Sequence, residues 1–108
     1  MNEDKPKQIG YAEDPQYGSY EWGIAAVYTH NGRFYIICDS GCSCNGPQST
    51  YSEKDAVVGP AATMGGLFDE LYVDLNKHEL FVREAFIDAL KNLNNETIEK
   101  TKAALGVK

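Results

Sequence analysis

The chain has 108 residues, of which 43% are apolar and 24% are charged, as expected for one folded domain with its own core. Its net charge of −6 argues against nucleic-acid binding through a basic surface. No stretch approaches the roughly 18 consecutive apolar residues of a membrane span, and the charged start lacks the apolar core of a signal peptide, so we expect a cytoplasmic protein with no membrane association.

The N-terminal segment combines charged residues, prolines and glycines with few large apolar groups. We predict that residues 1–19 form a partly mobile lead and that residues 20–108 form a single α+β domain.

Two apolar runs flank Asn31-Gly32, which is the strongest local signal in the chain. Both residues tolerate the positive φ of a two-residue type I′ turn, so the pattern predicts a β-hairpin in which Tyr28 lies opposite Tyr35. Alternation then places these tyrosines on one face of the hairpin, and the other face carries Ala25, Val27, Phe34, Ile36 and Cys38.

Turn-forming residues cluster after Ile37, so residues 38–47 are predicted to leave the strand and form a loop that bears three cysteines. The structure of residues 48–62 remains open, because the apolar run Ala56-Val57-Val58 fits either a short strand or part of a helix.

The second half of the chain has helical spacing. Apolar residues recur at helical intervals over residues 67–75, and Asn76 with Glu79 forms a capping-box pattern that predicts a second helix starting at Asn76. A third helix is predicted to stop at Gly106. The predicted fold is therefore α+β: an antiparallel hairpin or small sheet, a Cys-bearing loop, and two to three C-terminal helices that cover one sheet face.

The three cysteines lie within seven residues and could converge on one metal ion. Cys38, Cys42 and Cys44 would supply three thiolates of a zinc site, with His78 or Asp39 as the fourth ligand. The alternative is that Cys38 packs as a small apolar residue and that the other two thiols pack in a tight loop.

Catalytic motifs are absent from the sequence. A Cys nucleophile would need a base, for which His78 is the candidate, while Asp39 beside the cysteines disfavours a thiolate. Neither a phosphate-binding glycine loop nor a dinucleotide-binding motif is present. We therefore expect a protein that is not an enzyme.

Aromatic residues are concentrated in the first half of the chain. A sheet face bearing Tyr20, Trp22, Tyr28 and Tyr35 would offer large contact areas with polar tips, which favours a recognition surface. The alternative is that the helices cover this face.

Three motifs lie within residues 17–51: Tyr20-Glu21-Trp22, Gly32-Arg33-Phe34-Tyr35 and Asp39-Ser40-Gly41-Cys42-Ser43-Cys44. The six-residue loop motif is the specific one, whereas the aromatic strand residues alone are not. Together the three motifs resemble a group of small, uncharacterised bacteriophage-encoded proteins in which an aromatic hairpin leads into an Asp-Ser-Gly-Cys-Ser-Cys loop. The resemblance implies a bacterial cytoplasmic setting and an accessory protein that binds a host or defence component.

The leading hypothesis is thus a non-enzymatic protein that binds an unidentified protein partner through the aromatic sheet face and the Cys loop. Its predicted contact residues are Tyr20, Trp22, Tyr28, Tyr35, Asp39, Cys42 and Cys44. The alternative hypothesis is a small zinc-stabilised domain with a Cys38/Cys42/Cys44 site. An unpaired sheet edge would also permit a homodimer.

Overall fold

The computed structural model describes residues 5–14, 21–42 and 51–107. Within these residues, one antiparallel sheet has its strands in chain order: β1 (Lys7–Glu13), β2 (Glu21–His30), β3 (Arg33–Cys42) and β4 (Ala56–Ala61). The helices that follow are α1 (Met64–Val73), α2 (Leu80–Asn92) and α3 (Ile98–Leu105), and 3-10 turns occur at Glu53–Asp55 and Leu75–Lys77. The predicted α+β class is confirmed.

The hairpin of β2 and β3 forms as predicted. Asn31 and Gly32 have φ values of 55° and 76°, as a type I′ turn requires, and Tyr28 lies opposite Tyr35. Strand β3, however, continues through Cys42 instead of ending at Cys38, because Glu21–Ile24 of β2 supplies a pairing partner for every one of the added positions. The predicted loop therefore begins later than the turn-forming residues indicated.

Strand β1 lies in the segment that was predicted to be a mobile lead. It pairs with β2 and carries a bulge between Gln8 and Gly10. Its outer edge is occupied by α2: the Tyr11 amide donates to the Asp88 carboxylate at 3.0 Å, and the Asn92 side-chain amide donates to the Ile9 carbonyl at 2.7 Å. The polar sequence of this segment does not predict a strand, because the contacts that hold the strand in place come from α2, which is distant in the sequence.

Strand β4 resolves part of the segment left open by the sequence. Ser52 and Asp55 form a capping box around the first 3-10 turn, and the chain then pairs with β3. Gly59 has a φ of 92°, and a Cβ there would lie 2.8 Å from the Phe34 carbonyl oxygen, so only glycine fits. Pro60, on the strand at the end of the sheet order, cannot donate to a further strand.

Helix α2 begins at Leu80, four residues later than predicted. His78 and Glu79 have extended backbone angles, and Leu75–Lys77 forms a separate 3-10 turn. The Arg83 guanidinium donates to the carbonyls of both Leu75 and His78, each at 3.0 Å, and so fixes this turn apart from the helix. The predicted stop of α3 at Gly106 is confirmed by its left-handed φ of 73°.

The sheet has a hydrophobic core on each face. The helices pack on one face, where the buried residues include Val27, Ile36, Leu67, Leu71, Phe86 and Leu105. A smaller core lies on the opposite face and contains Ile24, Ala26, Tyr28, Tyr35, Ile37 and Tyr51. Among the described residues, no helix is both long enough and apolar enough to cross a membrane.

Candidate functional site: a cleft between β3 and the start of α2

The aromatic sheet face is a core and not an open surface at the two positions that can be examined. Tyr35 is 0% exposed and Tyr28 is 7% exposed. Their rings stack with centroids 5.9 Å apart, and the Tyr51 ring lies 5.9 Å from Tyr28. Tyr51, together with Ala56, packs over this face, whereas the helices pack on the other. Tyr28 and Tyr35 are therefore not available to a partner in this arrangement.

Hydrogen bonds hold Tyr51 over the sheet. The Tyr35 hydroxyl donates to the Tyr51 carbonyl at 3.3 Å, and the Tyr51 hydroxyl donates to the Asp39 carboxylate at 2.6 Å. Asp39 also accepts from the Ser40 amide at 2.8 Å. The Asp39 carboxylate, predicted as a contact residue, is thus engaged in holding the small core together.

The remaining predicted site residues lie partly outside the described part of the chain. Tyr20 and Cys44 are outside it, and the structure describes only the backbone of Trp22 and Cys42, which lie in β2 and β3. Cys38 is a half-buried free thiol packed against the larger core. Among the described residues no group of three or more His, Cys, Asp or Glu side chains could hold a metal ion, so the zinc site stays a prediction.

A cleft of about 390 Å³ lies where β3 meets the start of α2. Its sheet side is lined by Gly23, Cys38 and Ser40, and its helix side by residues 77–79 with Phe81 and Val82. We call it the β3–α2 cleft. It brings Cys38 and His78 to one site, as the hypothesis of a Cys nucleophile required, although they are 40 positions apart in the sequence.

Two small residues explain why this cleft exists. Gly23 and Ser40 lie directly opposite each other in the β2–β3 register. Alternation from Ala25 and Cys38 places both on the helix-facing side of the sheet, where they leave a gap that a larger pair would fill. The predicted hairpin register already contains this pair, but the sequence does not reveal the cleft because its signal is absent side-chain volume and not a reactive side chain.

The electrostatics of the cleft keep its thiol protonated. Burial, followed by the negative charge of Glu79, raises the pKa of Cys38 to about 11. Burial is also the main cause that lowers the pKa of His78, against the opposing effect of Asp74. At neutral pH the cleft therefore holds a neutral thiol and a neutral imidazole, which is not the thiolate–imidazolium pair of a Cys nucleophile.

A second hollow of about 260 Å³ adjoins the cleft along β4. Val57 and His78 line both, and the second hollow extends past Gly59 to Glu70 and Asp74. Val57 is 47% exposed although it is a large apolar residue in a strand. The two hollows thus form one elongated depression, which we call the β4 groove.

The fold and its cleft define an α+β domain in which a four-stranded meander carries helices on one face. A family model described as Domain of unknown function (DUF7574) matches residues 8–101, and the chain belongs to that family. The match begins in β1 and ends in α3, so it spans both the sheet and the helical layer. No curated protein and no solved structure matches the chain.

Proposed function

We propose that this protein is a non-enzymatic binding protein and that its contact site is the β3–α2 cleft. The observation that carries the proposal is the gap formed by Gly23 and Ser40 beneath the start of α2. Clefts of a few hundred Å³ with apolar walls and a few polar groups are typical of ligand sites. Phe81 and Val82 supply the apolar wall here, and Ser40 and His78 supply the polar groups.

The protonation states in the cleft favour binding over catalysis. A thiol with a pKa of about 11 is a poor nucleophile at neutral pH, and a neutral imidazole beside it adds a hydrogen-bond donor and acceptor. Both groups suit recognition of a ligand. A partner seated in the cleft could extend along β3 toward Cys42, where this strand ends.

The setting of this function stays a prediction. The resemblance to phage-encoded proteins favours a host or defence component as the partner and a bacterial cytoplasmic location. Native mass spectrometry with and without a chelator tests the alternative zinc-stabilised domain, for which a chelator-sensitive increment of one zinc per chain is the expected signature.

Nuclear magnetic resonance of ¹⁵N-labelled protein against a fragment library tests the cleft as a binding site. We expect fragments to shift the amide signals of Cys38, Ser40 and Phe81. Ser40→Phe fills the cleft and should abolish these shifts, whereas Ala62→Phe adds the same ring at an exposed position outside it and should not. Fragments that shift amide signals elsewhere, or that bind the Ser40→Phe variant as well as the unchanged protein, would contradict the proposal.

A further inference from the structure

We propose that the ligand is an extended peptide segment of a partner protein and that it carries at least one lysine or arginine. The peptide lies in the β4 groove and spans both of its hollows, the β3–α2 cleft and the second hollow along β4. The inference rests on the proposed function and names the class of ligand. Main-chain groups, charge and shape each support it.

The main-chain argument concerns the part of β3 that runs past β4. Strand β4 pairs with β3 at Phe34, Ile36 and Ile37, and no described strand pairs with Cys38–Ser40 on that side. The closing pair of a two-residue hairpin is hydrogen-bonded, and bonded pairs alternate along the ladder. Cys38 and Ser40 therefore direct their backbone groups away from β2 and toward the β4 side of the strand. The Ser40 amide already donates to the Asp39 carboxylate, so the groups that remain for an added strand are the carbonyls of Cys38 and Ser40, which can accept from its amides.

The charge argument concerns the rim of the depression. The carboxylates of Glu70, Asp74 and Glu79 line it, against the single ammonium of Lys77. Lys77 lies 3.8 Å from Asp74, and the described residues offer Glu70 and Glu79 no ion pair. His78 adds no positive charge at neutral pH because its pKa is lowered. The rim is thus complementary to a basic side chain.

The shape argument concerns the alternation of apolar and acidic groups. Val57 projects between the two hollows, and Val73, 79% exposed, lines the second. Successive side chains of an extended segment point to opposite sides, so an apolar side chain can enter the cleft against Phe81 while its neighbour reaches the carboxylates at the rim.

Titration of ¹⁵N-labelled protein with an alternating valine–lysine hexapeptide tests this inference, and a valine–glutamate hexapeptide is the charge control. We expect the basic peptide to shift the amides of Cys38, Ser40, Val57 and Glu79, and the acidic peptide to bind at least about tenfold more weakly. A basic peptide with N-methylated backbone amides should also lose binding, because it cannot pair with the strand edge.

Charge variants make the test specific for the rim. The triple variant Glu70→Gln, Asp74→Asn, Glu79→Gln should bind the basic peptide about tenfold more weakly. The control variant Asp69→Asn, Glu96→Gln, Glu99→Gln removes three exposed carboxylates outside the groove and should change affinity less than about twofold, since distant exposed charges are screened.

The outcomes separate the two proposals. If fragments occupy the cleft but the basic peptide does not bind, or binds no better than the acidic one, the peptide inference is wrong and the proposed binding function stands. If neither fragments nor peptides shift the cleft amides, both are wrong. Equal loss of affinity in the two triple variants would also overturn the inference, because it would reduce the effect to net charge.

Discussion

Arg83, on α2, joins two other chain segments beside the cleft. Its guanidinium donates to the carbonyls of Leu75 and His78 at the second 3-10 turn and to that of Leu105 at the end of α3. The carbonyls of His78 and Leu105 lie at the C-terminal ends of the 3-10 turn and of α3, where backbone dipoles favour a cation. The Arg83 Nε is buried without a partner among the described residues, so the side chain makes three hydrogen bonds and leaves one donor unsatisfied.

Replacement of Arg83 by lysine should therefore lower the free energy of unfolding by about 2 kcal/mol, because an ammonium cannot reach three separated carbonyls as the planar fork does. Urea denaturation measures this change. The matched control is Arg33→Lys, which alters an exposed ion pair with Glu53 and should cost less than about 0.5 kcal/mol. Equal losses of unfolding free energy in the two variants would contradict a special stabilising role for the three hydrogen bonds of Arg83.

The reactivity of Cys38 is a second prediction at the scale of one residue. In a Cys42→Ser, Cys44→Ser background, alkylation by iodoacetamide should be slower than that of a free model thiol at pH 8 and should keep rising toward pH 11, because burial and Glu79 oppose the thiolate. In urea the rate should return to that of the free thiol. A folded protein that reacts at the model rate near neutral pH would disprove the raised pKa.

Strand β1 and helix α2 approach each other closely at Gly10. A Cβ at Gly10 would lie 2.5 Å from the Ala85 carbonyl oxygen and 2.8 Å from the Ala89 Cβ. Three small residues thus allow the strand and helix backbones to meet, and that contact brings Asp88 and Asn92 to the strand edge. Protection of the edge depends on the absence of side-chain volume at this contact.

The substitution Gly10→Ala should consequently destabilise the protein by about 3 kcal/mol, because the new methyl group meets backbone atoms that cannot move without shifting α2. Thermal unfolding measures the loss. The control Gly65→Ala places the same methyl group in α1, 3.8 Å from the nearest atom, and should stabilise by about 0.5 kcal/mol. A Gly10→Ala variant as stable as the control would contradict the close contact.

Elements that depend on neighbouring residues could be predicted from the sequence, whereas elements that depend on residues far away in the chain could not. The hairpin followed from Asn31-Gly32 because a two-residue turn fixes its register within the segment itself. Strand β1 was missed because its residues carry few apolar groups and its partners lie elsewhere in the chain. Strand β4 was left open because the apolar run Ala56-Val57-Val58 fits either a strand or a helix. The cleft escaped for a related reason, since Gly23 and Ser40 matter through the volume that they leave empty.

Across the whole molecule, the sheet separates two cores of different chemistry. The helix side is aliphatic with phenylalanines, whereas the opposite side depends on tyrosines that are buried with their hydroxyls hydrogen-bonded. Burial raises the pKa values of Tyr28 and Tyr35 above the ordinary value of 10.0. These tyrosines make the small core sensitive to alkaline conditions.

The melting temperature should fall in alkaline solution. A group whose pKa is raised on folding stabilises the folded state below its unfolded pKa and loses that contribution as the pH rises through its folded pKa. The loss should begin near pH 9 with Cys38 and deepen above pH 10 with Tyr28 and Tyr35. Tyr35→Phe should reduce the fall of the melting temperature above pH 10. An unchanged slope in that variant would mean that other groups cause the fall.

The shielding of β1 by α2 carries a consequence for incomplete chains. The Tyr11 amide and the Asp88 carboxylate that accepts its hydrogen bond are 77 positions apart. A polypeptide that ends before α2 retains the strands but leaves the β1 border uncovered, ready to template a neighbouring copy. Premature termination before α2, or proteolytic loss of the residues from α2 onward, should thus yield self-associating products, and the sheet border becomes protected only late in synthesis.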